Sequence, residues 1–165
     1  MTVTRNATVT LPTDEQIVIT REFDAPKELV FAAWTTPELV RRWWHANRGE
    51  MTVCEIDLRP GGAWRYVMVA HDGTDVGFHG VYHEIVPGER LVSTEIYEGL
   101  PEGVSADDGA TLNTATFEEQ DGRTLVTLVV QCANRFSRDA IIESGMENGL
   151  QDALDLLEQA AQSLR

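Results

Sequence analysis

Positive charge is scarce in this chain. Its 13 lysine and arginine residues stand against 27 aspartates and glutamates, which gives a formal net charge of −14, and Lys27 is its only lysine. An acidic surface of this kind repels the phosphates of nucleic acids and the headgroups of anionic lipids. We therefore expect neither a nucleic acid nor a membrane as a partner.

Long apolar runs and export signals are also missing. No stretch approaches the ~18 apolar residues that a membrane-spanning helix needs. The first residues are polar and contain no apolar core of a signal peptide. We therefore expect a cytoplasmic protein.

Cysteine and histidine are too few and too scattered to form a metal site. Cys54 and Cys132 lie in separate strand-like runs, where we predict free, buried thiols rather than a disulfide. His79 and His83 are four residues apart on a predicted strand, so their Cα atoms lie about 13 Å apart. The chain also lacks a phosphate-binding glycine loop and a Ser-His-Asp arrangement. We predict no metal, no cofactor and no catalytic constellation.

The length of 165 residues is about that of one domain. We predict that residues 1–15 form an N-terminal tail, in which residues 7–11 could add an edge strand, and that residues 16–165 form a single domain. A first strand covers residues 17–23. Two short helices follow, the first capped by Asp24, and the apolar spacing of the second continues through Trp43 and Trp44.

From residue 51 onward the apolar period changes to two, which predicts a run of strands. These strands cover residues 51–58, 63–70, 75–86, 90–98, 111–119 and 123–132. Most connections are too short for a crossover helix, so neighbouring strands should form antiparallel hairpins. The longer connection, residues 99–110, is expected to act as a flap.

The last segment predicts one long helix, capped by Ser137 and about 25 residues or ~40 Å in length. Its single apolar stripe needs a large apolar surface, and only the sheet offers one. The fold class is therefore α+β. A seven-stranded curved antiparallel sheet wraps a long C-terminal helix, and two short helices lie between strands 1 and 2.

Several short stretches resemble a known family by their order and spacing. They are REFDAP (21–26), RWW (42–44), DLRPGG (57–62), GVYHEI (80–85) and PGERLV (87–92). The chain resembles the family of proteins like the heat-shock-protein-90 ATPase activator, in the START-like, polyketide-cyclase-like superfamily. The resemblance implies a helix-grip fold with a pocket for a hydrophobic or amphipathic small molecule.

Two features depart from the family pattern. Gly149-Leu150 stands where relatives often carry a Gly-Trp pair, which would enlarge or reshape the pocket. The chain also has no room for the separate N-terminal domain with which the eukaryotic co-chaperone engages its chaperone. A chaperone is therefore the less favoured partner.

Ten residues are predicted to line the pocket and bind the ligand. They are Trp44, Trp64, Tyr66, Met68, Phe78, Tyr82, Asn113, Phe117, Met146 and Leu150. The competing interpretation is that these side chains simply fill the core. Arg21 alternates with apolar residues, and we expect it at the sheet rim with its guanidinium in water, rather than buried against Glu84 or a ligand carboxylate.

Three functions remain open from the sequence. The favoured one is binding of a hydrophobic or amphipathic small molecule without catalysis. The second is an enzyme of the cyclase or dehydratase kind in the same pocket. Its acid or base would come from His79, His83, Tyr66, Tyr82 or Glu84. The third is regulation of a chaperone ATPase.

Overall fold

The computed structural model describes residues 7–99 and 109–165, and a curved antiparallel sheet forms its centre. The strands within these residues are β1 (Thr8–Thr10), β2 (Gln16–Phe23), β3 (Gly49–Ile56), β4 (Ala63–Ala70), β5 (Asp75–Val86), β6 (Arg90–Tyr97), β7 (Thr111–Gln120) and β8 (Arg123–Gln131). They form one sheet in the order β1-β2-β8-β7-β6-β5-β4-β3. The predicted α+β class is confirmed.

The strand order follows from short hairpins. Each strand from β3 to β7 pairs antiparallel with the next one along the chain, and β2 pairs antiparallel with β8. The turn between β7 and β8 shows why: Asp121 and Gly122 both have positive φ, at 56° and 77°, as a tight two-residue hairpin requires. The eighth strand, one more than the seven predicted, is β1, which pairs with β2.

The helices are α1 (Lys27–Thr35), α2 (Pro37–Val40), α3 (Arg135–Glu143) and α4 (Met146–Gln162). Two predictions about the first pair were wrong. Pro26, not Asp24, is the N-cap of α1. Asp24 is instead tied to α4, since its N–H donates to Glu158 and its carbonyl accepts from Gln162. Helix α2 ends at Val40, so the two tryptophans that follow lie in a turn.

The predicted C-terminal helix is present, but its predicted continuity over about 25 residues was wrong. Gly145 has a φ of 81°, a left-handed conformation that ends α3 and separates it from α4. Asn134, rather than Ser137, caps α3, because its side chain accepts a hydrogen bond from the Ser137 N–H. The remaining helix, α4, has 17 residues and spans about 25 Å.

Helix α4 closes the hollow of the sheet. The buried side chains of α4 are Ala153, Leu154, Leu157, Ala160 and Ala161. Small residues on this face let α4 pack against α1. Leu150 and Leu154 face the sheet across a space that side chains do not fill. Within the described residues, no helix is long and apolar enough to cross a bilayer.

Candidate functional site

A cavity of about 190 Å³ lies between the inner face of the sheet and α4. The strands supply most of its wall: Ile19, Arg21, Phe23, Trp64, Tyr66, Tyr82, Leu91, Ser93, Glu95, Asn113, Ala115, Val126 and Leu128. The remaining lining comes from the first helical region and α4, through Trp34, Trp43, Trp44, Leu150 and Leu154. In β2, β4, β6, β7 and β8 the lining residues are two apart, as alternation along a strand requires.

Six of the ten predicted pocket residues line the cavity: Trp44, Trp64, Tyr66, Tyr82, Asn113 and Leu150. That they contact a ligand stays a prediction. The other four lie in the surrounding packing. Met68 is buried one step farther along the inner face of β4, and Met146 packs at the start of α4. Phe78 contacts Trp44 and Tyr97, and Phe117 packs against Phe31 and Trp34.

Aromatic rings form much of the wall. The ring centroids of Trp44 and Tyr66 are 5.5 Å apart in an edge-on arrangement, and those of Trp64 and Tyr66 are 4.8 Å apart. The indole N–H of Trp43 donates to Ala33 O at 2.8 Å, and that of Trp64 donates to Thr94 O at 3.1 Å. Because these donors have backbone partners, the two indoles are held in place.

The two tyrosines of the cavity are partners of each other. The side chains of Tyr66 and Tyr82 interact, and each affects the pKa of the other. Burial raises the pKa of Tyr82 to about 12 and that of Tyr66 well above its ordinary value. Both phenols are therefore neutral at physiological pH. They can donate or accept a hydrogen bond, but neither is a base near neutrality.

Glu95 is the functional group that the sequence interpretation missed. It lines the cavity, and burial raises the pKa of its carboxyl to about 7. Glu95 as a whole is only partly buried, because one side of it borders the cavity. Protein surrounds the rest of its carboxyl group. Among residues 7–99 and 109–165, no hydrogen bond or ion pair partners this carboxyl. Period-two alternation with Leu91 and Ser93 is the signal that could have found it.

Arg21 is buried, with 4% of its surface exposed, so its predicted position at the rim with its head in water was wrong. Its guanidinium donates to Leu154 O at 2.6 Å and to Asp155 Oδ1 at 2.9 Å, and it lies 4.6 Å from the ring centroid of Phe23. Glu158 is a second carboxylate at 3.7 Å. These contacts satisfy the buried charge and fix α4 to β2.

The other acid and base candidates of the enzyme hypothesis lie outside the cavity. His79 contacts Glu98 at 2.9 Å on the outer face of the sheet. Hydrogen bonding to Arg65, more than to this histidine, lowers the pKa of Glu98 to about 2. Glu84 pairs with Arg90 rather than with Arg21, and His83 is exposed. The predicted flap, residues 99–110, lies largely outside the described residues.

Similar proteins support the architecture. Solved structures similar to this chain include a protein from Rhodobacter sphaeroides, with 26% identity and a TM-score of 0.85 over 96% of this chain and 99% of that chain. Another comes from Chromobacterium violaceum, with 27% identity and a TM-score of 0.76 over 90% of this chain and 98% of that chain. An AHSA1-like protein from Aeromonas hydrophila, at 23% identity, has a TM-score of 0.65 and covers 89% of this chain and 93% of its own.

A comparison with curated proteins found no match. A family model, by contrast, matches most of the chain. The family described as activator of Hsp90 ATPase homolog 1-like protein matches residues 24–162, from the end of β2 to the end of α4. This range contains the two short helices, the strands β3 to β8 and the helix that closes the cavity. The chain therefore belongs to the family of activator of Hsp90 ATPase homolog 1-like proteins.

Proposed function

We propose that the protein binds a small amphipathic molecule in the cavity between the sheet and α4. The observation that carries this proposal is the unfilled space of about 190 Å³ between the sheet and α4. Protein interiors are close-packed, and cavities larger than a few water molecules are uncommon. An engineered apolar cavity of about 150 Å³ takes up benzene. The space in this protein therefore suits a molecule with one ring and a short substituent.

The chemistry of the wall favours an amphipathic ligand over a purely apolar one. Aromatic and aliphatic side chains provide most of the surface, while Tyr82, Asn113 and Glu95 place polar atoms among them. Ligand sites usually combine an apolar lining with a few polar groups that fix orientation. A ligand with an apolar body and one polar end would match both parts of the wall.

A cavity-filling variant tests the proposal. Ala115 lies on the wall, on the inner face of β7, with 3% of its surface exposed. Ala115→Phe would place a benzyl group in the space and should abolish binding of one-ring compounds, measured by tryptophan fluorescence. Leu112→Phe is the control, since Leu112 faces outward on the same strand and is 41% exposed. Equal binding by wild type and both variants would contradict the proposal.

Catalysis in the same cavity is the second candidate, and Glu95 favours it. A carboxyl with a pKa of about 7 in a cavity lined mostly by apolar side chains is suited to general acid–base catalysis. The proton acceptor would be a Glu95 Oε atom, and the neutral phenol of Tyr82 could stabilise charge by donating a hydrogen bond. Conversion of a bound compound that stops in Glu95→Gln, with binding retained, would support catalysis. Unchanged compound after long incubation with wild type would support binding alone.

A further inference from the structure

Glu95 is a carboxyl group on the wall of an aromatic cavity, and it has no hydrogen-bond or ion-pair partner in the part of the chain that the structure describes. It lies near the end of β6, and strand register places it opposite Thr111 on β7. On β4, the titratable group that interacts with Glu95 is Tyr66. The nearby carboxylate contributes to the raised pKa of this tyrosine. Buried carboxylates normally accept hydrogen bonds or pair with cations. When this carboxyl is ionised, no group of residues 7–99 and 109–165 balances its charge, so a cationic ligand could do so.

Arg21, the cationic side chain among the lining residues of the cavity, lies far from Glu95. Arg21 is in register with Val126 on β8, which is in register with Phe117 on β7. Phe117 and Thr111 are six residues apart, so Arg21 and Glu95 are separated by about 20 Å along the strand direction. The guanidinium of Arg21 is also occupied by Leu154 O and Asp155. Among the described residues that line the cavity, an anionic ligand near Glu95 therefore finds no free cation.

The aromatic wall suits a cation. Trp44, Trp64 and Tyr66 form a connected set of rings on the cavity wall. Trp64 also reaches the segment next to Glu95, since its indole N–H donates to the backbone of Thr94. The faces of tryptophan and tyrosine rings attract ammonium groups, most strongly where water is excluded. Aromatic rings and an unpaired carboxylate together favour a positively charged group.

We propose that the cavity selects small amines, with the ammonium group of the ligand paired to Glu95 and its apolar body held among Trp44, Trp64 and Tyr66. This inference rests on the proposed binding function and names the chemical class of its ligand. The cavity volume of about 190 Å³ limits that body to about one ring. The acidic surface, with a net charge of −14, attracts cations to the protein as a whole.

Three one-ring probes of similar size test the selectivity: 2-phenylethylamine, 2-phenylethanol and 3-phenylpropionate. At pH 8 the amine should bind wild type at least about tenfold more tightly than the alcohol, as expected of a hydrogen bond to a charged group. The carboxylate should bind most weakly. Titration calorimetry measures all three. Equal affinities for the amine and the alcohol would overturn the inference.

A matched pair of variants locates the selectivity. Glu95→Gln keeps the shape of the side chain and should bring the amine and the alcohol to similar affinities. Glu84→Gln is the control, because Glu84 is an exposed carboxylate paired with Arg90 outside the cavity, and it should keep the preference. Retention of the preference in Glu95→Gln would refute the role of Glu95.

The pH dependence provides a measurement on unmodified protein. Glu95 ionises around pH 7, and the amine needs the ionised carboxylate, so amine affinity should rise from pH 5.5 to pH 8. The alcohol should show no such rise. Binding of the alcohol or the carboxylate without the amine would sink this inference and leave the proposed function standing. Failure of all three probes to bind wild type would count against both.

Discussion

Replacing Glu95 by glutamine should stabilise the folded protein without ligand, and the stabilisation should grow with pH. The carboxyl has a pKa of 4.5 as a model group and about 7 in the folded protein. The folded state thus binds this proton more tightly than the unfolded state. The folded state is most stable below pH 4.5. Its stability falls between pH 4.5 and about 7, where the carboxyl is ionised in the unfolded state but still protonated in the folded state, and it stays low above that range.

The size of the effect follows from the change in pKa. One pKa unit corresponds to about 1.4 kcal/mol, so ionisation of Glu95 destabilises the fold by about 3.5 kcal/mol at most. Water that reaches the exposed part of the carboxyl reduces this to roughly 1–2 kcal/mol. Glutamine carries no charge at any of these pH values. The variant should therefore gain that stability relative to wild type at pH 8 and little at pH 5.

Urea unfolding followed by tryptophan fluorescence measures the difference in the free energy of unfolding at pH 5, 6, 7 and 8. The control is Glu84→Gln, whose carboxylate is paired and exposed, and its difference from wild type should stay nearly constant. A Glu95→Gln difference that does not change with pH, or that decreases as the pH rises, would refute the assignment of Glu95 as an unpaired carboxyl.

Two further predictions concern the elements that hold α4. Arg21→Leu removes the bonds to Leu154 O and Asp155 and should lower the free energy of unfolding by about 2–3 kcal/mol, whereas Arg90→Leu, from an exposed pair, should cost less than about 1 kcal/mol. A similar cost for both in urea unfolding would contradict the structural role of Arg21. Gly145→Ala should destabilise by about 1 kcal/mol because its φ is 81°, while Gly149→Ala, within α4 and facing open space, should stabilise by up to about 1 kcal/mol. Thermal unfolding compares the two, and equal effects would argue against the break at residue 145.

The fold was predictable because its signals are local. Alternating apolar residues and two-residue turns such as Asp121-Gly122 define hairpins, and a chain of hairpins leaves few ways to arrange a sheet. The bounds of β4 and β5 agree with their predicted residues for this reason. The break in the last helix was missed because the apolar stripe continues across it. A glycine also fits within a helix, and only its backbone conformation distinguishes Gly145 from Gly149.

The candidate site was harder to predict because it depends on contacts between distant parts of the chain. Alternation identified the inward residues of β4 and β5, but it could not tell a cavity wall from packed core, so Phe78 and Phe117 were included with the lining residues. The burial of Arg21 was not predictable, because the groups on α4 that accept its hydrogen bonds lie more than 130 residues away along the chain. Glu95 was overlooked since a glutamate in a strand usually faces water.

An NMR titration of isotope-labelled protein with 2-phenylethylamine tests the ligand-binding cavity most directly. We expect saturable shifts of the indole N–H resonances of Trp44 and Trp64 and of the backbone amides near Glu95. Residues on the outer face of the sheet, such as Leu112 and Leu125, should not shift. Shifts confined to the outer face, or no saturable shifts at all, would contradict a cavity that binds small molecules.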